Sequence, residues 1–284
     1  PDWGTSCNPK VISVSVPSDS TYGLGTVLEF VVNFNRIVIV SGTPQLSISL
    51  DGSTVQADYA SGTGTKALIF TYMVAYGDED TDGITVTPTL GLNEGTMTGV
   101  WGSDADLALS GVGATDNVFV DAVPPVAACL SPIVELGPNG TYTLQESDVF
   151  DAIGSSDNGS IESVDFEGNT YTCDDAEMQF DVLVTVGDGG GNTDQCVAQV
   201  SVKVGKALPT PWVSNDIGSP GESSTFSYDP CATDNPGRGE FAISTVGYNL
   251  IPNTSDEVGL IWQSLSGNGG IQAKIVSVNN GYAG

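Results

Sequence analysis

A chain of 284 residues, 39% of them hydrophobic, has material for two or three modest cores and is too long for one ordinary sandwich. Seven Lys and Arg stand against 35 Asp and Glu, a formal charge of −28, and there is no His. Such a chain repels phosphate backbones and anionic bilayers, which argues against nucleic acid and membrane as partners, and it lacks the commonest general base and zinc ligand.

An acidic surface attracts cations, Ca²⁺ first among them, although solubility alone accounts for most of the carboxylates. With so many acids, pairs arise by chance, and none has a spacing that singles it out for acid–base work. The chain is therefore expected not to be an enzyme. No run approaches 18 apolar residues, so no transmembrane helix is expected. The chain begins at Pro1 without a signal-like apolar run, as a processed or trimmed product would. Five cysteines, at 7, 129, 173, 196 and 231, have no metal-ligand spacing and read as disulfide partners in an oxidising, extracellular compartment, with one left over.

A leader of ten residues precedes the first alternating stretch, which opens at Val11. Period-two alternation then recurs along the chain: Leu28, Phe30, Val32 and Phe34; Leu46, Ile48 and Leu50; Leu68, Phe70, Tyr72 and Val74. Further on come Phe180, Val182, Val184 and Val186, then Ala198, Val200, Val202 and Val204. Each marks a strand with one face on a core and one in water, and Gly, Ser, Asn and Asp clusters punctuate them as in a sandwich. Pro124-Pro125 and Pro209-Thr210-Pro211 follow strands and stiffen extended connectors, which divides the chain near 122 and 206. The expected segments are 1–10, 11–122, 123–205 and 206–284.

The first segment, through Val11 to Pro17, Leu28 to Phe34, Gly42 to Leu46, Tyr59 to Thr65, Phe70 to Tyr72, Gly77 to Ile84 and Leu92 to Thr96, resembles the Ig-like repeats of large bacterial surface adhesins. The second resembles the hyalin-repeat type of Ig-like domain in secreted proteins of the Bacteroidetes kind. Its carriers are Ala128-Cys129, Gly154-Ser155-Ser156-Asp157, Tyr171-Thr172-Cys173, Val184 to Asp188 with Gly191-Asn192, and Cys196. The third, from Pro211-Trp212 to Gly269, resembles the opening half of a concanavalin-type jelly roll. These resemblances imply an all-β protein: tandem immunoglobulin-like β-sandwiches plus a partial jelly-roll β-sandwich. They also imply that Cys129 pairs with Cys196. A further Cys of such relatives is Gly159 here, which leaves Cys173 without its partner. Two of Cys7, Cys173 and Cys231 are then free to join across domains or across chains.

Asp78, Asp80 and Asp82, followed by Gly83, alternate carboxylates as tight loops do when they wrap oxygen ligands around Ca²⁺. The twelfth position is Thr89, so this is no EF-hand, and a neighbouring loop bearing Asp104 or Asp106 would complete the shell. An acidic turn closed by Asp-Gly reads the same way. Asp116, Asn117 and Asp121 precede the first junction, where calcium stiffens rows of Ig-like modules in some adhesins; the ordinary loop reading is preferred for them. Asn139, Asn158 and Asn253 fit the N-glycosylation sequon, which counts in a eukaryotic or archaeal host and means nothing in most bacteria. Of the four tryptophans, Trp262 continues the alternation Val258, Leu260 and is expected in a core, and Trp212, at a position matched in such relatives, is expected to pack the start of its domain.

By analogy with these families the expected function is a non-catalytic, secreted structural or adhesive protein of the cell surface. Its modules would be spacers and interaction units in an array or filament of neighbouring copies or other surface proteins. The alternative is an accessory, glycan-binding region of a large secreted carbohydrate-active enzyme.

Overall fold

The computed structural model describes residues 8–218, 222–232, 239–246, 258–271, 273–275, 277 and 278. The chain is all-β, apart from a four-residue helix and one 3-10 turn among these residues. It parts into two compact units: residues 1–132, 145–167 and 181–199 in the first, and 133–144, 168–180 and 200–284 in the second.

Ten strands of the first unit form one sandwich: β1 (Val11–Ser15), β2 (Ser20–Tyr22), β3 (Val27–Ser41), β4 (Gln45–Leu50), β5 (Ser53–Ser61), β6 (Thr65–Met73), β7 (Glu79–Asp80), β8 (Thr85–Val86), β9 (Thr96–Gly99) and β10 (Val118–Asp121). One sheet runs β1-β3-β6-β5-β4-β8 with β9 also on β3, and a second runs β2-β10-β7. The alternation seen in sequence sets the register. Phe30 lies opposite Phe70 and Val32 opposite Leu68 in the β3–β6 ladder, and Leu28, Phe30, Val32, Leu46, Ile48, Leu68 and Phe70 are wholly buried. The register shifts between Asn33 and Val38, and β3 passes from β6 to β9 as its partner. Such an irregularity bends a long strand and lets one sheet curl round its own core.

The remainder of the first unit holds the short helix α1 (Glu146–Val149), β13 (Ile161–Phe166), the second part of β15 (Gln179–Asp188) and the first part of β16 (Thr193–Val204). β13 pairs antiparallel with β15, from Ile161 opposite Asp188 to Phe166 opposite Val184. Cys129 and Cys196 are disulfide-bonded with their Cα atoms 5.7 Å apart, as the resemblance implied.

In the second unit β11 (Ile133–Leu136) lies parallel to Ser201–Val204 of β16, and β12 (Thr141–Thr143) pairs with β14 (Thr170–Thr172). β17 (Val213–Ile217) pairs with β20 (Val258–Trp262), and β18 (Glu222–Asp229) with β19 (Glu240–Val246). Trp212 and Tyr228 both pack on the Phe241 ring, at 4.9 and 4.8 Å between centroids. Lys203 and Glu177 form an ion pair. Cys173 does have a partner. It bonds to Cys231, which joins the second segment to the third within one chain, one of the outcomes the cysteine spacing left open. Cys7 lies outside the described residues.

One expectation in this unit is reversed. Val258, Leu260 and Trp262 are about two-fifths exposed, while Gly259 is buried. The alternation is correct, but the covered face is the other one: a Cβ on Gly259 would stand 2.7 Å from Ser224 Oγ and 3.1 Å from the Phe226 ring. Choosing the wrong face of a strand inverts every side chain in it.

Candidate metal centres

Among the described residues, two groups of three carboxylates have oxygens within 4.8 Å of one another, Asp51 with Asp80 and Asp82, and Asp121 with Asp157 and Asp188. Both lie in the first unit. Neither is the triplet that the alternating loop suggested.

The first group keeps Asp80 and Asp82 but exchanges Asp78 for Asp51. The Asp78 carboxylate is held by its own turn, accepting from the Tyr72 hydroxyl and the Ala75 amide; burial, and then the bond to Asp78, push the Tyr72 phenol up to about 12. Asp51 comes from the β4–β5 hairpin turn, and its Oδ2 accepts from both the Thr81 amide and hydroxyl. Those bonds hold the Asp51 carboxyl below its ordinary value. Asp80 is 3% exposed, and its Oδ1 accepts from the Gly83 amide at 2.7 Å. Burial, with the Asp51 and Asp82 charges adding to it, raises the Asp80 carboxyl above the ordinary range. Gly83 is required here: its φ is +106°, and a Cβ would meet the Asp116 backbone at 2.7 Å. Asp104 and Asp106 are not in the group. Asp106 instead caps its own turn through the Ala108 amide.

The second group gathers the far end of the first sandwich and two loops of the next segment. Asp121 closes β10, Asp188 closes β15, and Asp157 sits in the Ser155-Ser156-Asp157-Asn158 turn. Asn192 ties them together: its Nδ2 donates to Asp188 Oδ2 and to the Asp121 carbonyl, its amide donates to Asp188 Oδ1, and its Oδ1 accepts from the Leu24 amide. Asn158 Nδ2 donates to Glu79 Oε1 and to Asp121 Oδ1. The backbones here approach too closely for side chains, since a Cβ on Gly23 would stand 2.2 Å from the Gly190 carbonyl oxygen. Asp188 is 8% exposed. Asp157 Oδ2 accepts from the Gly159 amide, while Asp157 Oδ1 is buried with no hydrogen-bond partner. Burial raises the Asp121 carboxyl, and the charges of Asp188 and Asp157 raise it further.

The two groups flank one shallow cleft of about 200 Å³, lined by Asp80 and Asp121 with Glu79, Thr81, Val120 and Asn158 among others. They are neighbours because β7 pairs with β10, which places Val120 opposite Asp80 and Asp121 opposite Glu79. Hard carboxylate oxygens, with no imidazole in the chain and the four described cysteines consumed in disulfides, suit a hard cation and not zinc or copper. Either group could hold a metal ion.

Sequence reasoning found Asp121 but preferred a loop role for it. In the sequence Asp157, Asp188 and Asn192 stand only as marks of resemblance, because nothing in linear spacing says that Asp157 and Asp188, 36 and 67 positions after Asp121, converge on it. Asn117 faces Asp19, with its Nδ2 donating to Asp19 Oδ2. Of the sequons, Asn139 is exposed with its Oδ1 accepting from the Thr141 amide, Asn158 is engaged as above, and Asn253 lies outside the described residues. Trp101 is 92% exposed. Among the described residues no helix is long and apolar enough to cross a membrane. The chain matches no protein-family model and no curated protein sequence.

Proposed function

We propose that the chain is a non-catalytic structural or adhesive protein of the cell exterior, whose Ig-like modules act as spacers and interaction units in a surface array or filament. Ca²⁺ bound by Asp121, Asp157 and Asp188 fixes the joint where the first sandwich meets the segment that follows it. The observation that carries this reading is the buried, unpartnered Asp157 Oδ1 beside two other half-buried or buried carboxylates. Three like charges so close repel one another and cost desolvation, and a divalent cation removes both penalties at once. Ca²⁺ suits the site better than Mg²⁺, because it accepts six to eight oxygens in irregular geometry, including the backbone carbonyls that such turns expose. Two disulfides are what an oxidising, extracellular compartment sustains. Neighbouring copies, or other surface proteins, are the partners this reading assigns.

Isothermal titration with CaCl₂ and with MgCl₂, on the wild type and Asp157→Asn, tests the joint. Calcium uptake that weakens at least tenfold in Asp157→Asn supports it, and no heat from either ion in the wild type sinks it. The second reading, a glycan-binding accessory module, has the exposed Trp101 in its favour, since an indole face stacks on sugar rings. Retention on a polysaccharide panel that Trp101→Ala abolishes would favour that reading.

A further inference from the structure

The leading and closing segments of the first sandwich run side by side in the same direction. Lys10 bridges Asp106 and Val14 bridges Val112, both parallel, and β2 then pairs parallel with β10 from Ser20–Val118 to Tyr22–Val120. From Val14 onward the offset is a constant 98 residues (14 to 112, 20 to 118, 22 to 120). Backbone bonds close this seam: the Asp106 amide donates to Pro9 O, Val14 to Gly111 O, Gly113 to Val14 O and Ser20 to Asn117 O, all at 2.8–3.1 Å. Further along, β11 and the end of β16 repeat the arrangement, parallel from Ile133–Ser201 to Leu136–Val204. A covalent tie precedes it, the Cys129–Cys196 disulfide, whose partners are separated by 67 residues.

We propose that these seams are force-bearing clamps. Where the first and last segments of a module lie parallel, the chain comes in at one end of the ladder and leaves at the other. Tension between the two ends therefore slides the segments along each other and loads every hydrogen bond together. Antiparallel first and last strands would place both ends on the same side, and the bonds would then open one by one. The resistance arises from ladder direction and not from overall stability, because forced unfolding follows the barrier and not the equilibrium. The two overlapping disulfides add a stop, since between Cys129 and Cys231 only the stretch from Cys173 to Cys196 can lengthen the chain under load. The inference builds on the spacer reading and does not depend on the cation.

Single-molecule stretching of the whole chain through its two ends tests it, in EDTA and under oxidising conditions. Opening of the first sandwich should release about 380 Å of chain at about 3.4 Å per residue, and at a higher force than when the same molecule is held at the exposed Lys66 and Asn93, two points between which neither β2 nor β10 lies. Reducing agent opens both disulfides and should add about 270 Å at about 3.4 Å per residue, because the chain from Cys129 to Cys231 then extends in full instead of only between Cys173 and Cys196. Ser20→Pro, which deletes one seam donor at an exposed position, should lower the rupture force by roughly a quarter while the melting temperature changes little. Equal forces in the two pulling directions would overturn the clamp, as would no added length on reduction. Either result would leave calcium binding at the joint, and with it the spacer reading, untouched; if Ser20→Pro does not fold, the comparison of directions on the unmodified sequence still decides.

Discussion

The first sandwich and the segment after it are held together by different means. The first contains no described cysteine and closes over a core in which Phe30, Phe34 and Phe70 are fully or almost fully buried with Leu and Ile around them. In residues 123–205 the buried apolar side chains are mostly Val, Tyr171 is the single aromatic among them, and two cysteines are locked in Cys129–Cys196. A large aromatic core supplies stability through area removed from water, whereas a valine core of the same fold has less area and relies on limiting the unfolded chain. Related folds can thus draw on burial or on cross-links.

The largest effect should come from breaking the aromatic core. Phe30→Ala removes a wholly buried ring opposite Phe70 and should cost about 3–5 kcal/mol. Hydrogen exchange resolves where that loss falls. Amides of β3 and β6 should lose protection while those of β15 and β16 keep theirs; a uniform loss would mean the two regions unfold as one.

Removing the cross-link is the converse experiment. The double substitution Cys129→Ser and Cys196→Ser should cost the second region about 4 kcal/mol in the chain-entropy model and leave the first sandwich's exchange pattern unchanged. If β3 and β6 lose protection as well, the contrast between core-held and staple-held regions is wrong.

Calcium sharpens the comparison, because the proposed site draws ligands from both regions. At a hundred times its dissociation constant a ligand specific to the folded state adds about 2.7 kcal/mol. Saturating Ca²⁺ should therefore raise the melting temperature by roughly 5–10 °C for a body of this size. Asp188→Asn should abolish most of that rise. An unchanged melting curve on adding Ca²⁺ to the EDTA-treated chain would remove the ion from the joint.

Much of the fold was legible in the sequence because burial in a sandwich has period two. Leu28 to Phe34, Leu68 to Val74 and Val182 to Val186 put inside the residues that alternation alone selects, with Tyr72 only partly buried. The failures come where alternation has no second cue. Val258, Leu260 and Trp262 fit a buried stripe, and only the contact of Gly259 with Ser224 and Phe226 decides which face is covered. The candidate site was half legible. Asp80 and Asp82 were found, but Asp78 spends its carboxylate on Tyr72 and Ala75, and Asp51 arrives from a hairpin 29 residues earlier. Long-range convergence leaves no trace in spacing. Cys231 likewise meets Cys173 across 58 residues of chain that contain a proline-rich linker.

The smallest effect, and the most discriminating, is the pH dependence with and without the cation. Asp80 and Asp121 titrate above the ordinary aspartate value of 3.8 in the folded chain, chiefly because burial disfavours their charge. A carboxyl whose folded pKa is raised binds protons more readily folded than unfolded, so in EDTA stability should climb as pH falls from neutrality toward 3.8. Relief of self-repulsion in a chain of charge −28 acts in the same direction. Below 3.8 the trend should turn over, because Asp51 and Asp194, whose values are lowered by hydrogen bonds from Thr81 and Ala127, then lose those favourable ionised states. Bound Ca²⁺ reverses the upper limb. It requires Asp121, Asp157 and Asp188 ionised, so acidification expels it and stability should fall over the same interval. Melting temperatures measured from neutrality to pH 4, once in EDTA and once in Ca²⁺, should therefore slope in opposite directions. Parallel slopes would mean that no cation depends on these carboxylates, and the joint would then be held by Asn192, Asn158 and the close Gly23–Gly190 packing alone.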